Sequence, residues 1–250
     1  MSLVIQREDG QPIHIPAKAG VFEFDAEVAQ IFENMAQRSI PMYPEVHRLH
    51  ASLLRPFIQL PSRGITIWDI GASTGRWFRV LREVLHVPNL AMVGGLRCYA
   101  LDNSQPMLDK IAADFVEVTT TLFDLTSPVQ TAPAPDIVVM FYVLQFLPKE
   151  EKRKALTWLY QTMAFGGKLV LGQKEAMMDG SNDMFQSEYI KFRLANGYTQ
   201  EEIDAKTIAL KGSMWLQSPQ ELREMLFEIG FKSVYETTRW LNFSTVMATK

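Results

Sequence analysis

Three carboxylates and one glycine-bearing loop are the residues best suited to do chemistry together. The stretch Trp68-Asp69-Ile70-Gly71-Ala72-Ser73-Thr74-Gly75 leaves an apolar run through two glycines separated by three residues. Glycine lets a backbone turn sharply and come close to a bound molecule. Asp102, followed by Asn103, and Asp124, followed by Leu125, each end a further apolar run. A carboxylate placed like Asp102 can accept both hydroxyls of a ribose. Asp124 with its apolar neighbour can hold the edge of an adenine. Each feature alone is weak, since such loops are widespread and an Asp after a strand often caps a helix. The loop is not G-x-G-x-x-G, so it offers no pyrophosphate cradle and speaks against NAD or FAD. His47 and His50 share one helix face but have no third ligand at helical spacing. They read as solvated or capping histidines, with a base facing the site as the alternative, and no metal site is expected.

These residues need strands and helices to position them. Ile65–Ile70, Leu96–Leu101, Val116–Leu122, Ile137–Phe141 and Lys168–Gly172 are predicted strands, and amphipathic stretches at 74–86, 104–113 and 148–164 are predicted helices. The alternation implies a parallel sheet covered on both faces, and the right-handed crossover rule makes it doubly wound. A helix at Ser218–Ile229 precedes two strands, 231–236 and 240–249, whose short connection demands antiparallel pairing. Ligands of such sheets bind outside the carboxyl ends of the strands. Gly71–Gly75, Asp102 and Asp124 converge there in register, pointing to an adenosine ligand without phosphates. Strand alternation sends Phe141 and Tyr142 to opposite faces, so one of them is expected to reach that ligand.

The flanks differ from this core. Residues 1–20, with Gly10, Pro12, Pro16 and Gly20, show no period and read as an irregular arm. A helix starts at Asp25, a bend carries Tyr43, and a second helix at about 45–60 aligns Val46, Leu49, Leu53, Leu54 and Phe57 in one stripe. An insert at about 174–216 holds two helices broken at Asn196-Gly197. The expected organisation is an arm with lid helices at 1–60 and a ligand-binding α/β domain at 61–250.

Composition narrows the class. With 250 residues, 47% hydrophobic and a net charge of −3, the chain can bury a sizeable core and does not read as a nucleic-acid binder. Arg76, Arg79 and Arg82 form the only basic stripe. The single Cys98 excludes an internal disulfide framework. No apolar run is long enough to span a bilayer and the N-terminus is unlike a signal peptide, so a cytoplasmic protein without a membrane partner is expected.

The whole pattern resembles the class I methyltransferase fold that binds S-adenosylmethionine (SAM). That fold is Rossmann-like α/β, with a seven-stranded sheet whose last strand is antiparallel. Further segments are similar to the carboxy-SAM synthase family: Phe24-Asp25, Gln37-Arg38-Ser39, Pro41-Met42-Tyr43, Asp102-Asn103-Ser104, Leu144-Gln145-Phe146-Leu147, Ala195-Asn196-Gly197-Tyr198 and Leu241-Asn242-Phe243-Ser244. The resemblance implies a dimer that converts SAM and prephenate into carboxy-SAM for wobble-uridine modification of tRNA. It implies ligand contacts at Tyr43, Gly71, Ala72, Ser73, Asp102, Asn103, Asp124 and Leu125.

Two departures from that family bear on the reaction. Phe141 stands where the family has Asn, and Thr207, beside Lys206, stands where it lends an Arg across the dimer to the added carboxylate. Neither Thr nor a neighbouring Lys reproduces a guanidinium fork. The chain therefore reads as a relative that keeps the SAM cradle, with Phe141, Tyr142 and Tyr43 as an aromatic wall. The leading expectation is methyl transfer from SAM to a small molecule, by a homodimer with residues 24–60 and 174–216 as lid. The alternatives are an enzyme that rearranges SAM itself and a non-catalytic SAM-binding module. Rearrangement means carboxy-SAM formation, or cyclisation to azetidine-2-carboxylate and methylthioadenosine.

Overall fold

The computed structural model describes residues 2–6, 12–16, 24–59, 64–130, 132–177 and 181–250. The first two segments are strands, β1 (Ser2–Gln6) and β2 (Pro12–Pro16), paired antiparallel. The irregular arm expected at 1–20 is thus a hairpin in these segments, while Gly10 and Gly20 lie outside the described residues. The prolines are no obstacle, because they occupy the ends of β2 and both strands of a two-stranded sheet are edges.

The main sheet comprises β3 (Ile65–Ile70), β4 (Leu96–Asp102), β5 (Val118–Leu122), β6 (Ile137–Phe141), β7 (Lys168–Lys174), β8 (Ser233–Trp240) and β9 (Phe243–Thr249). Their order is β5-β4-β3-β6-β7-β9-β8. β9 alone runs opposite in direction to the other six. The chain builds outward from β3 to β5, then returns to lay β6 beside β3. That reversal opens the crevice in which such sheets bind ligands.

Helices α3 (Arg76–Leu85), α4 (Gln105–Asp114), α5 (Lys149–Thr162) and α8 (Pro219–Ile229) cover this sheet. Alternation along each buried strand feeds two cores. Ile67 and Val139 pack with Trp77, Phe78, Leu81 and Ile111 on one face. Trp68, Ile70 and Met140 pack with Leu156, Leu159, Leu222 and Leu226 on the other.

Three more helices, α1 (Ala26–Ser39), α6 (Asn182–Ala195) and α7 (Gln200–Ala209), and the start of α2 (Tyr43–Gln59) border the carboxyl ends of the strands, while the rest of α2 packs with α3 on one face of the sheet. The Asp25 carboxylate accepts from the Val28 N–H at 2.9 Å and so starts α1. Ser104, the N-cap of α4, donates its hydroxyl to the Phe24 carbonyl at 2.5 Å, tying the entry of α1 to the end of β4. Thr199 and Glu202 close a capping box on α7.

Helix α2 corrects the expected stripe. Leu53 and Phe57 are exposed, whereas His47, His50, Ala51 and Ile58 are buried. Each imidazole lies against the carbonyl four residues earlier, His47 on Tyr43 at 2.7 Å and His50 on Val46 at 2.6 Å. With that polarity satisfied locally, the ring packs as an aromatic. No described helix is long and apolar enough to cross a membrane.

Candidate active site

Below α1, α2, α6 and α7, the carboxyl ends of β3, β4 and β6 and the segment after β5 open onto one cavity of about 1030 Å3. Its floor begins where β3 ends. Gly71 has φ +69°, and a Cβ there would lie 2.1 Å from Val143 Cγ2, so only glycine brings the backbone this close. The Ser73 N–H donates to Asp102 Oδ2 at 2.8 Å, and the Ser104 N–H to Oδ1 at 2.9 Å. The Asp102 carboxylate is held by backbone donors and lines the cavity, with acceptor capacity to spare. Burial raises its pKa against these donors.

Asp69 is buried near it and lines the same cavity. Burial, and then the charge of Asp102, hold its carboxyl well above the usual carboxylate range. Two neighbouring carboxylates in this state favour an arriving cation or hydrogen-bond donor. Asp124 takes the N–H and hydroxyl of Thr126 on one oxygen, at 2.8 and 2.7 Å. Ala72, Asn103 and Leu125 line the cavity with it. Gly75 does not. It stands at the N-cap of α3 with φ +80° and packs against Phe115, so its part in the motif is to turn the chain.

The aromatic residues meet along the same cavity. Tyr43, expected in a bend, opens α2 and is buried, its ring 6.1 Å from that of Tyr142. Phe141 and Tyr142 both line the cavity, against the expectation that alternation would allow one. The reason is local. Tyr142 has left the strand with φ +62°, and its N–H donates to the Gly172 carbonyl at 2.6 Å. Beyond them Phe243 and Tyr189 continue the wall, with ring centroids 5.0 Å apart.

The histidines are not solvated. His47 lines the cavity, and burial pushes its pKa down to about 3. His50 is buried away from the cavity with Nε2 2.8 Å from Thr237 Oγ1. No described group of three or more His, Cys, Asp or Glu could hold a metal ion. The basic stripe is neutralised: Arg76 pairs with Glu33, Arg79 with Asp114 and Arg82 with Glu117.

The sequence reading missed Lys174, at the end of β7, and Arg193, on α6, which face this cavity together with Lys206. The position of Lys174 at a strand's carboxyl end is a usable signal; nothing in the sequence marks Arg193. Thr207 also lines the cavity and donates its hydroxyl back to the Ile203 carbonyl at 2.7 Å.

No family profile matches the chain. It is 31% identical over 240 residues to the carboxy-S-adenosyl-L-methionine synthase of Pasteurella multocida, covering 94% of this chain and 95% of that protein. Its identity to the protein of the same name from Ectopseudomonas mendocina is 30% over 258 residues, covering 99% of each. Among solved structures, the CurJ carbon methyltransferase superposes with a TM-score of 0.62 at 17% identity, over 92% of this chain and 61% of that one. Magnesium protoporphyrin IX methyltransferase of Synechocystis PCC 6803, with bound SAH, gives 0.56 at 16%, over 86% and 87%. These superpositions show the Rossmann-like methyltransferase fold. Identity of this degree along nearly the whole chain makes the protein a member of the carboxy-S-adenosyl-L-methionine synthase family, a SAM-dependent enzyme.

Proposed function

We propose that the enzyme holds SAM across the ends of β3, β4 and β5 and transfers its methyl group to a small molecule lodged beside it. The observation that carries this reading is the extent of the cavity. At about 1030 Å3 it stands at the top of the range of about 300–1,000 Å3 usual for small-molecule sites, and it runs past the strand ends to Tyr189 and Phe243. In this reading Asp102 receives the ribose hydroxyls, and Asp124 and Leu125 border the adenine. Gly71, Ala72, Ser73 and Asn103 bring backbone close to the ligand, and Asp69 faces its positive charge. SAM supplies an electrophilic carbon on a sulfonium. Tyr43, Phe141 and Tyr142 stabilise that cation and fix the line of approach, so positioning supplies most of the rate. Helices α1, α2, α6 and α7 act as a lid that excludes water.

The exposed Leu194 and Trp215 on the insert support a homodimer through that segment, which sedimentation at micromolar concentration would test. A cytoplasmic location fits the same reading.

A second reading, conversion of SAM itself, is favoured by the family and by the state of His47. Pushed down to about 3, with Nδ1 on the Tyr43 carbonyl, that imidazole is a poor acceptor for an acceptor molecule's proton. Mass spectrometry of products separates the readings. With small-molecule extracts, S-adenosylhomocysteine supports methyl transfer. Carboxylated SAM, or methylthioadenosine from SAM alone with a cyclised amino acid, overturns it in favour of the second. Absence of any turnover refutes both.

A further inference from the structure

The chain between α7 and α8 runs along the rim of the cavity. Met214 and Leu216 line the cavity, while Trp215 between them is 45% exposed. Residues 211–216 are all exposed or half-buried. With so little packing of its own, this stretch is placed by its hydrogen bonds. The Trp215 N–H donates to the Gln145 carbonyl at 2.9 Å, and the Ala176 N–H donates to the Gln217 carbonyl at 3.0 Å. Gln145 belongs to the short turn after β6, and Ala176 follows β7. Met214–Gln217 is therefore a strap laid across the exits of both strands. The Gln145 side chain adds a weak contact, Nε2 to Met214 Sδ at 3.7 Å.

A further tie comes from outside the cavity. Lys152, on α5, is 1% exposed and does not line the cavity, and its Nζ donates to the Trp215 carbonyl. Both main-chain groups of Trp215 are thus held by the segment that follows β6. Burial pushes the Lys152 amine down to about 8, against the charge of Glu221 on α8. That carboxylate is itself engaged by Ser218 and Lys149. A buried amine is costly, and an apolar side chain would fill the inner face of α5 without that cost. What the amine adds is a donor. The main-chain N–H of Lys152 is spent on the Pro148 carbonyl within the helix, so only the side chain can reach out to a carbonyl of the strap.

We propose that Lys152 is a positioning residue for the cavity: it latches the Met214–Gln217 strap from behind, and the strap so held is the gate over the exits of β6 and β7. The inference rests on the cavity's being the SAM site. Latched, the strap presents Met214 and Leu216 as part of the wall and keeps water out of that side. Released, it uncovers the side, and a bound nucleoside leaves past it.

Hydrogen exchange of the full-length protein, read by mass spectrometry with and without S-adenosylhomocysteine, tests the proposal together with the stopped-flow dissociation rate of that nucleoside. In wild type the amides of 211–217 should exchange faster than those of β6 and β7 and slow down on binding. Lys152→Met is expected to speed exchange across 211–217 about tenfold or more, the effect of losing a bond from a charged donor. The dissociation rate should rise in step. Its urea midpoint should stay at or above that of wild type, because an apolar side chain replaces a buried amine. Lys152→Arg keeps a charged donor and should restore slow exchange and slow release. Unchanged exchange in Lys152→Met overturns the proposal. Faster exchange with unchanged release, or faster exchange spread evenly over the sheet, overturns it too, since either leaves Lys152 a structural tie. Should Lys152→Met not fold, Lys152→Gln carries the same comparison, and strap amides left unprotected by S-adenosylhomocysteine in wild type overturn the gate by themselves. Failure of wild type to bind S-adenosylhomocysteine would instead refute the SAM site, and strap exchange in the Lys152 variants would still judge the latch.

Discussion

The ring of Phe141 lies 4.3 Å from the imidazole of His47, centroid to centroid, with the planes tilted by 37°. The last residue of β6 and the first turns of α2 therefore share one aromatic contact at the cavity wall. Phe141→Ala removes it and leaves room for water beside the ligand. Affinity for S-adenosylhomocysteine is expected to fall roughly 3- to 30-fold, the size of a lost cation–π or ring contact. Phe141→Leu should keep most of the stability and still lose affinity. Calorimetry paired with urea unfolding separates the two effects, and unchanged affinity in both variants would remove Phe141 from the site.

His47 also sets a pH limb. Its folded pKa is pushed down to about 3, chiefly by burial, against about 6.5 in an unfolded chain. The unfolded state binds the proton first, so this stability is present above about pH 6.5 and is lost as pH falls towards 3. His47→Leu should flatten the acid limb by up to about 1.4 kcal/mol per pH unit. Urea midpoints measured between pH 7 and pH 4.5 check this, and parallel curves for the two proteins would refute it.

Asp69 acts in the opposite sense. Its folded pKa is raised by burial and by Asp102, so the folded state holds the proton longer than the unfolded chain. Stability from this group is lost as pH rises from about 3.9 through the raised folded value. Asp69→Asn should therefore unfold at a higher temperature than wild type at pH 7.5 while binding SAM less well. A lower melting temperature would mean that the carboxylate is already neutralised by a partner.

Gly71→Ala meets two obstacles at once, φ +69° and Val143 Cγ2 at 2.1 Å. A loss of about 1–3 kcal/mol is expected from the backbone conformation alone, with nucleoside binding abolished. Adding Val143→Ala should restore part of the stability by relieving the contact, without curing the strain. If the single variant binds S-adenosylhomocysteine like wild type, the loop does not approach the ligand.

The sequence made the sheet, the strand ends and the glycine loop legible because each rests on local rules: β-branched runs, turn residues and periodicity. Phe141 and Tyr142 show where those rules stop. Alternation holds while the chain is extended, and a single residue at φ +62° put both rings on one wall. Helix α2 shows another limit. Counting apolar side chains selected Leu53 and Phe57, whereas the buried face was decided by rings whose polar atoms are met by carbonyls one turn back. The hairpin at the N-terminus was hidden by its prolines, which end β2 and break nothing. Position 207 carries Thr207, where the resemblance implies a guanidinium. The structure sets Arg193 in the same cavity from another helix, a juxtaposition that spacing along the chain does not encode.

Strand β8 precedes β9 in the chain but lies outside it in the sheet, with β9 between it and β7. Nothing from Ser233 to Trp240 can join the sheet until the residues up to Thr249 exist and have turned back. β8 can join only on β9, either after it or together with it, and Phe243, part of the cavity wall, belongs to β9. Time thus enters the architecture: during synthesis the glycine loop and the acidic strand ends leave the ribosome well before the strand that closes the chamber. A nascent chain can carry the elements of a nucleoside cradle while still having no reaction vessel.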